Sequence, residues 1–196
     1  NLVETIDFLF VHVPKKSSFY KPLGEFMNIT FMPMGVFAMA DYLCKHGFRS
    51  QIIHLGVEWI ENRDFSLNEW LKDRQVKVIG MPIHWHYQAY DTIEVAKRIK
   101  ARYPDIFIVL GGFTASFFAR EILENFSCID AVVRGDGEKP VLALMQECAT
   151  GAPHLAAVPN LSWRRGEQVI ENPLSYVAEK KDLDEHLFIN LPAERS

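Results

Sequence analysis

Three short segments carry residue types that could do chemistry. His84-Trp85-His86 sets two imidazoles one residue apart, so on an extended chain both point one way and the indole points the other. Two imidazoles are half of a zinc site, and spacing identifies neither a third nor a fourth ligand. Polar and aromatic contacts lining a crevice are the other reading. Gly111-Gly112 removes Cβ atoms where a ligand or a second backbone could approach, or it is a tight turn with Thr114 as the N-cap of the next helix. Arg134-Gly135-Asp136-Gly137-Glu138 flanks a glycine-loosened backbone with charges of both signs. It suits a ligand, or it caps a helix, with Asp136 or Gly137 at the cap, Glu138 at the positive end and Pro140 in the first turn. His12, His46, His154 and His186 are read as satisfying local hydrogen bonds.

Several chemistries are excluded by what is missing. A dinucleotide site needs G-x-G-x-x-G after the first strand and an acid ending the second, but the first loop begins Pro14-Lys15-Lys16 and the second strand ends in His54. Neither a phosphate-binding G-x-x-x-x-G-K-[ST] loop nor a G-x-S-x-G elbow occurs. Cys44, Cys128 and Cys148 share no CxxC spacing, and an odd number of cysteines makes no closed disulfide framework; they read as reduced thiols of a cytoplasmic protein. The 196 residues are 48% hydrophobic and 12% aromatic, and Lys+Arg 21 against Asp+Glu 25 gives a net charge of −4. Without basic blocks, a nucleic-acid partner is not expected. No apolar run approaches the roughly 20 residues of a membrane helix. The chain opens at Asn1 with no signal peptide and closes in a polar stretch, which reads as a piece of something longer.

The elements that must hold these segments alternate. Strands are expected at Ile6 to Val13, Arg49 to Leu55, Val76 to Ile83, Ile106 to Leu110 and Ile129 to Val133. Their nearly unbroken apolar character predicts burial on both faces. Helices are expected at Gly35 to His46, Ala89 to Tyr103, Ala115 to Phe126 and Pro140 to Ala149, with a short one at Leu67 to Arg74 in an otherwise irregular stretch. Pro14 to Pro33 is a loop long enough to suggest a function. The pattern predicts a five-stranded parallel, doubly wound α/β sheet over residues 1–150 with helices on both faces. A small β-hairpin (Leu161 to Arg164, Gln168 to Ile170) and a connector fill residues 151–196. Ligands of such sheets bind outside the carboxyl ends of the strands, which is where all three chemical segments fall.

Pro22-Leu23-Gly24 in the long loop, Pro33-Met34-Gly35 leading into Ala40-Asp41-Tyr42-Leu43 and Gly47, Val78-Ile79-Gly80, Ala96 to Lys100 with Pro104, Val109 to Ala115 and, most specifically, Asp130 to Pro140 form a recurring set. Together they resemble the N-terminal cobalamin-binding domain of the cobalamin-dependent radical-SAM proteins, over about residues 5–150. Pro159 to Arg164, Ile170 to Asn172 and Asp182 to Asp184 are similar to the connector that family places before its radical-SAM barrel. The resemblance implies a flavodoxin-like fold holding cobalamin over the carboxyl edge of the sheet, its nucleotide tail threading beside the strands. Gly111, Gly112, Phe113 and Thr114 would form the tail channel; Ile83, His84, Trp85 and His86, with Arg134, Gly135, Asp136, Gly137 and Glu138, would meet the corrin edge. It also implies a downstream barrel binding a [4Fe-4S] cluster through CxxxCxxC and cleaving S-adenosylmethionine, often for methyl transfer. That barrel is absent from these residues, so this chain would bind cobalamin and contact the downstream domain without catalysing or ligating a metal itself. Departures exist: the D-x-H-x-x-G motif of other cobalamin proteins is missing, and Pro82 stands where they place the Ser of S-x-L. Tail contacts would then fall to backbone N–H groups and to Thr114, Ser116 or the first loop. The alternative is a degenerate flavodoxin-like positioning domain without cobalamin, its crevice filled by Phe113, Trp85 or Tyr20. An enzyme using His84, His86 or Glu138 as acid or base would lack a positioned nucleophile.

Overall fold

The structure is a computed structural model that describes residues 3–16 and 32–184. Pro22-Leu23-Gly24, Tyr20 and His186 lie outside the described residues. Five strands, β1 (Glu4–His12), β2 (Ser50–His54), β3 (Arg74–Pro82), β4 (Phe107–Gly111) and β5 (Ala131–Val133), pair in parallel in the order β2-β1-β3-β4-β5. The strand order reverses direction between β1 and β3, which makes their carboxyl ends the switch point where such sheets open a crevice.

Alternation along each strand sorts its side chains into two cores. Leu9, Val11, Ile79, Met81, Ile108, Leu110 and Val132 face one layer of helices: α2 (Leu55–Glu61), α3 (Leu67–Leu71), α4 (Ala89–Arg102), α5 (Phe113–Phe117) and α6 (Ala119–Asn125). Phe8, Phe10, Val78, Val109 and Val133 face the other, made by α1 (Met34–Lys45) and α7 (Glu138–Ala149). Because both faces are covered, the strands show no polar alternation. Leu9, Ile79, Ile108 and Leu110 are at or below 1% exposure, and full burial of each such side chain contributes about 1.5–3 kcal/mol.

The doubly wound α/β class is as expected, and three details differ. Leu55–Glu61, read as irregular, is a helix because the His54 side chain accepts from the Val57 N–H at 3.3 Å and caps it. Ala115 to Phe126 is two helices broken at Phe118 (φ −105°, ψ 25°). The hairpin also lies inside the sheet. β6 (Leu161–Arg165) pairs antiparallel with β5, and β7 (Gln168–Glu171) pairs with β6, giving seven strands in the order β2-β1-β3-β4-β5-β6-β7. β5 has only three residues, and β6 covers an edge that would otherwise present unpaired backbone groups. The two-residue loop between Arg165 and Gln168 starts with Gly166 at φ 62°, the left-handed conformation a tight hairpin needs.

Candidate functional site

At the carboxyl ends of β1, β3, β4 and β5, on the α1/α7 face, the sheet and helices part to leave a cavity of about 260 Å³. Phe8, Phe10, Val36, Met39, Val109, Val133 and Val141 give it apolar walls. Six of its lining residues are glycine: Gly35, Gly80, Gly111, Gly112, Gly135 and Gly137. These glycines do different work. A Cβ on Gly80 would sit 2.5 Å from the Phe8 ring, so Gly80 makes room for a wall of the slot. Gly35, exposed at the start of α1, also lines the slot, and a Cβ there would meet nothing within 4 Å.

Gly112 is the most constrained. At φ 95°, ψ 171° it occupies a region essentially closed to other residues, and a Cβ there would lie 2.7 Å from the Ile83 carbonyl oxygen. The chain after β3 crosses directly over it. The Ile83 oxygen accepts from the N–H groups of Thr114 (3.1 Å) and Ala115 (3.3 Å). The Thr114 hydroxyl donates to the His84 carbonyl at 2.9 Å. Both readings of Gly111-Gly112 are therefore partly realised: a tight turn and a close approach of backbone, beside an open slot. The cap of α5 is Gly112, however, and not Thr114, whose hydroxyl is taken by His84.

Gly111, Gly112, Phe113 and His84 line the slot, as do Gly135, Asp136, Gly137 and Glu138. Ile83, Trp85, His86, Thr114 and Arg134 do not. Ile83 is fully buried in the opposite core, and Trp85 is 57% exposed. Phe113, 79% exposed, stands at the rim with its ring edge-on to His84, centroids 5.5 Å apart. The crevice is thus open rather than plugged by Phe113 or Trp85.

The charged turn divides its labour. Arg134 turns away, donating to the Asn172 carbonyl and lying 3.9 Å from Glu171 of β7. Asp136 accepts from the Ala178 N–H at 2.9 Å, pinning the segment after the hairpin. Gly137 caps α7 without a side-chain bond, one of the two capping options for this turn. The Gly135 N–H donates to the Ser116 hydroxyl at 3.0 Å. Glu138 keeps one buried carboxylate oxygen, Oε2, without a hydrogen-bond partner. Behind the turn, Asn160 and Asn172 tie down residues 155–176: Asn160 Oδ1 accepts from Ser175 and Tyr176, and Asn172 Nδ2 donates to Leu155 and Val158, both at 2.7 Å, so the two asparagines hold the segments on either side of the hairpin.

A second buried polar group, His12, departs from its expected role. His12, expected to satisfy a local hydrogen bond, is 1% exposed and neither ring nitrogen has a partner. Register places it opposite His54, ring centroids 4.6 Å apart, so imidazoles end both β1 and β2. Burial, reinforced by the charges of His54 and His84, pushes His12 down to about 4, and burial also lowers His84. A polar residue closing an otherwise apolar strand is the signal that could have drawn attention to it. His46 does behave as expected, its Nδ1 lying 2.8 Å from the Tyr42 carbonyl. Among the described residues, no group of three or more His, Cys, Asp or Glu side chains is arranged to hold a metal ion, and no helix is long and apolar enough to cross a membrane.

Comparison with known proteins bears on this slot. The family model for the B12 binding domain matches residues 28–145. The hopanoid C-3 methylase of Methylococcus capsulatus is 29% identical over 158 residues, covering 79% of this chain and 28% of that protein. The chain spans less than a third of the length of the curated relatives it matches. Among solved structures, the radical S-adenosylmethionine methyltransferase TsrM from Kitasatospora setae superposes with a TM-score of 0.68 at 18% identity, over 86% of this chain and 30% of that one. The cobalamin-dependent S-adenosylmethionine radical enzyme OxsB, solved with aqua-cobalamin and S-adenosylmethionine bound, gives 0.67 at 18% identity, over 89% and 23%. At such identities the superpositions establish a shared fold.

Proposed function

The chain belongs to the B12 binding domain family, and from that premise we propose that it is the cobalamin-carrying module of a radical-SAM enzyme. Residues 1–150 are the carrier and residues 151–196 the connector toward a downstream barrel that would hold a [4Fe-4S] cluster and S-adenosylmethionine. The names of its relatives support methyl transfer or a related radical reaction for the whole protein. A cytoplasmic setting belongs to the same proposal, since Cys44, Cys128 and Cys148 are all free thiols.

The observation that carries the proposal is the open, glycine-walled slot at the switch point of the sheet. Its chemistry suits the tail of the cofactor: apolar walls for a flat aromatic base, Cβ-free backbone for close approach, and polar groups restricted to His84, Ser116, Asp136 and Glu138. Bound cobalamin supplies a cobalt centre able to carry a methyl group or exchange an electron. The work of this chain is to bind and orient it. Gly111, Gly112 and Phe113 would line the tail channel, His84 would flank the corrin, and the turn from Gly135 to Glu138 would close the slot beside α7. The alternative of a positioning domain without ligand would want the crevice filled by Phe113, Trp85 or Tyr20; Phe113 and Trp85 stand exposed, and Tyr20 lies outside the described residues.

Titrating the purified chain with hydroxocobalamin, and following the visible spectrum after desalting, tests this directly. Saturable uptake of colour is expected, together with its weakening in Gly35→Leu, which puts a side chain on a lining residue whose Cβ would meet no protein within 4 Å. A colourless wild-type chain under both reducing and oxidising conditions would remove the proposal.

A further inference from the structure

Four polar side chains line the slot, and they are not equally free. Asp136 Oδ2 is engaged by the Ala178 N–H and Ser116 Oγ by the Gly135 N–H. His84 stacks edge-on with Phe113 at the rim. Glu138 is different: its Oε2 is buried, and it is the one buried side-chain oxygen without a partner among the described residues lining the slot. The start of α7 gives a carboxylate a favourable field but places no hydrogen on that oxygen. An acceptor left this way costs free energy that a donor from an occupant recovers.

Its place along the slot narrows the donor. Phe8, Phe10 and Val109 lie on β1 and β4 and line its apolar part; Glu138 opens α7 directly after the turn Gly135 to Gly137, which lines the same slot. The Phe8 and Phe10 rings pack on each other, centroids 4.3 Å apart, and an aromatic base laid against them would leave its sugar toward that turn. The neighbouring carboxylates of Asp136 and Glu138 disfavour a phosphodiester in the same corner, because like charges repel. They favour a hydroxyl, which donates.

We infer that Glu138 is the specificity-determining residue for the nucleotide tail: Oε2 accepts a hydrogen bond from a ribose hydroxyl of the lower nucleotide and thereby selects the complete cofactor over its tail-less form. The inference rests on the cobalamin reading above and assigns Glu138 to the tail rather than to the corrin edge.

A ligand-by-residue cycle tests it. Equilibrium titrations of wild type, Glu138→Ala and Glu138→Gln are run against hydroxocobalamin and against cobinamide, which has the corrin but no nucleotide. Thermal midpoints without ligand confirm that each variant folds, and the near-isosteric Gln keeps the test open if Ala does not. Glu138→Ala should weaken cobalamin binding about 10-fold or more while leaving cobinamide within about twofold, and Gln, which retains an acceptor oxygen, should recover most of the loss. Equal weakening of both ligands would overturn the inference by placing the contact on the corrin. An unchanged cobalamin affinity in both variants would overturn it as well, while leaving the carrier reading intact. A wild-type chain that binds neither ligand would overturn both.

Discussion

Substituting each member of the Gly111-Gly112 pair separates what the backbone needs from what the slot needs. At Gly112, alanine must adopt φ 95°, ψ 171°, a conformation that costs about 1–3 kcal/mol for a residue with a Cβ. The Cβ would also meet backbone, 2.7 Å from the Ile83 oxygen and 2.8 Å from its carbonyl carbon, and backbone cannot swing aside as a side-chain tip can. Moving Ile83 stretches the bonds its oxygen accepts from Thr114 and Ala115, each contributing about 0.5–1.5 kcal/mol. Together these give roughly 3–5 kcal/mol for Gly112→Ala. At about 2–4 °C per kcal/mol for a chain of this size, the melting midpoint should fall on the order of 10 °C. Gly111 has no such constraint: its nearest neighbour is the Val133 carbonyl oxygen at 4.0 Å, and alanine within a strand recovers about 0.5–1 kcal/mol of backbone entropy. Gly111→Ala should therefore melt at or slightly above the wild-type temperature while its methyl narrows the slot and weakens cobalamin uptake. Differential scanning calorimetry and urea titration read the stability, and the hydroxocobalamin titration reads the slot. A Gly112→Ala variant as stable as Gly111→Ala would refute the reasoning, because the crossing of Ile83 over Gly112 would then not be the contact that holds β3 and β4 at this end.

Stability should also depend on pH through His12. Its folded value of about 4 lies below the ordinary 6.5, so on acidification the unfolded chain takes the proton first. The contribution of the neutral buried ring is complete above about pH 6.5 and is lost as pH falls toward 4, at up to 1.36 kcal/mol per unit and roughly 3 kcal/mol in all. Urea midpoints across that window should slope in wild type and flatten in His12→Gln; identical slopes would count against it. Asp7, held well below the usual carboxylate range by Arg49 and then Lys77, contributes above the unfolded carboxylate value and weakens only below about pH 4, outside the His12 window. After β7, Asn172→Ala removes the side-chain partner of the Leu155 and Val158 carbonyls and of the Trp163 indole N–H, leaving Leu155 only its bond from the Val158 N–H, a loss of about 2–4 kcal/mol. Hydrogen exchange should show residues 155–178 loosening before the parallel strands, and protection lost evenly across the sheet would contradict a local role.

The parallel strands were legible because burial on both faces writes the same message at every position: Leu9 and Phe8 face different helix layers, yet both must be apolar. The helix at Leu55–Glu61 was not, since Gly56, Val57 and Ile60 are poor helix formers and the element depends on a cap from a residue assigned to the preceding strand. For the slot, residue type and strand-end position were enough to bring Gly111, Gly112, His84 and the Gly135–Glu138 turn together. Partners were beyond reach. That His12 meets His54 depends on the β2-β1-β3 order, which no local window contains. The charged turn shows the same limit at one-residue resolution. Arg134 reaches Asn172, 38 positions on, and Asp136 reaches Ala178, 42 positions on, so two of its three charges serve the chain after β7. Glu138 has no such distant partner among the described residues, and what distinguishes it from Asp136 is not charge or location but an oxygen left over once every internal hydrogen bond is assigned.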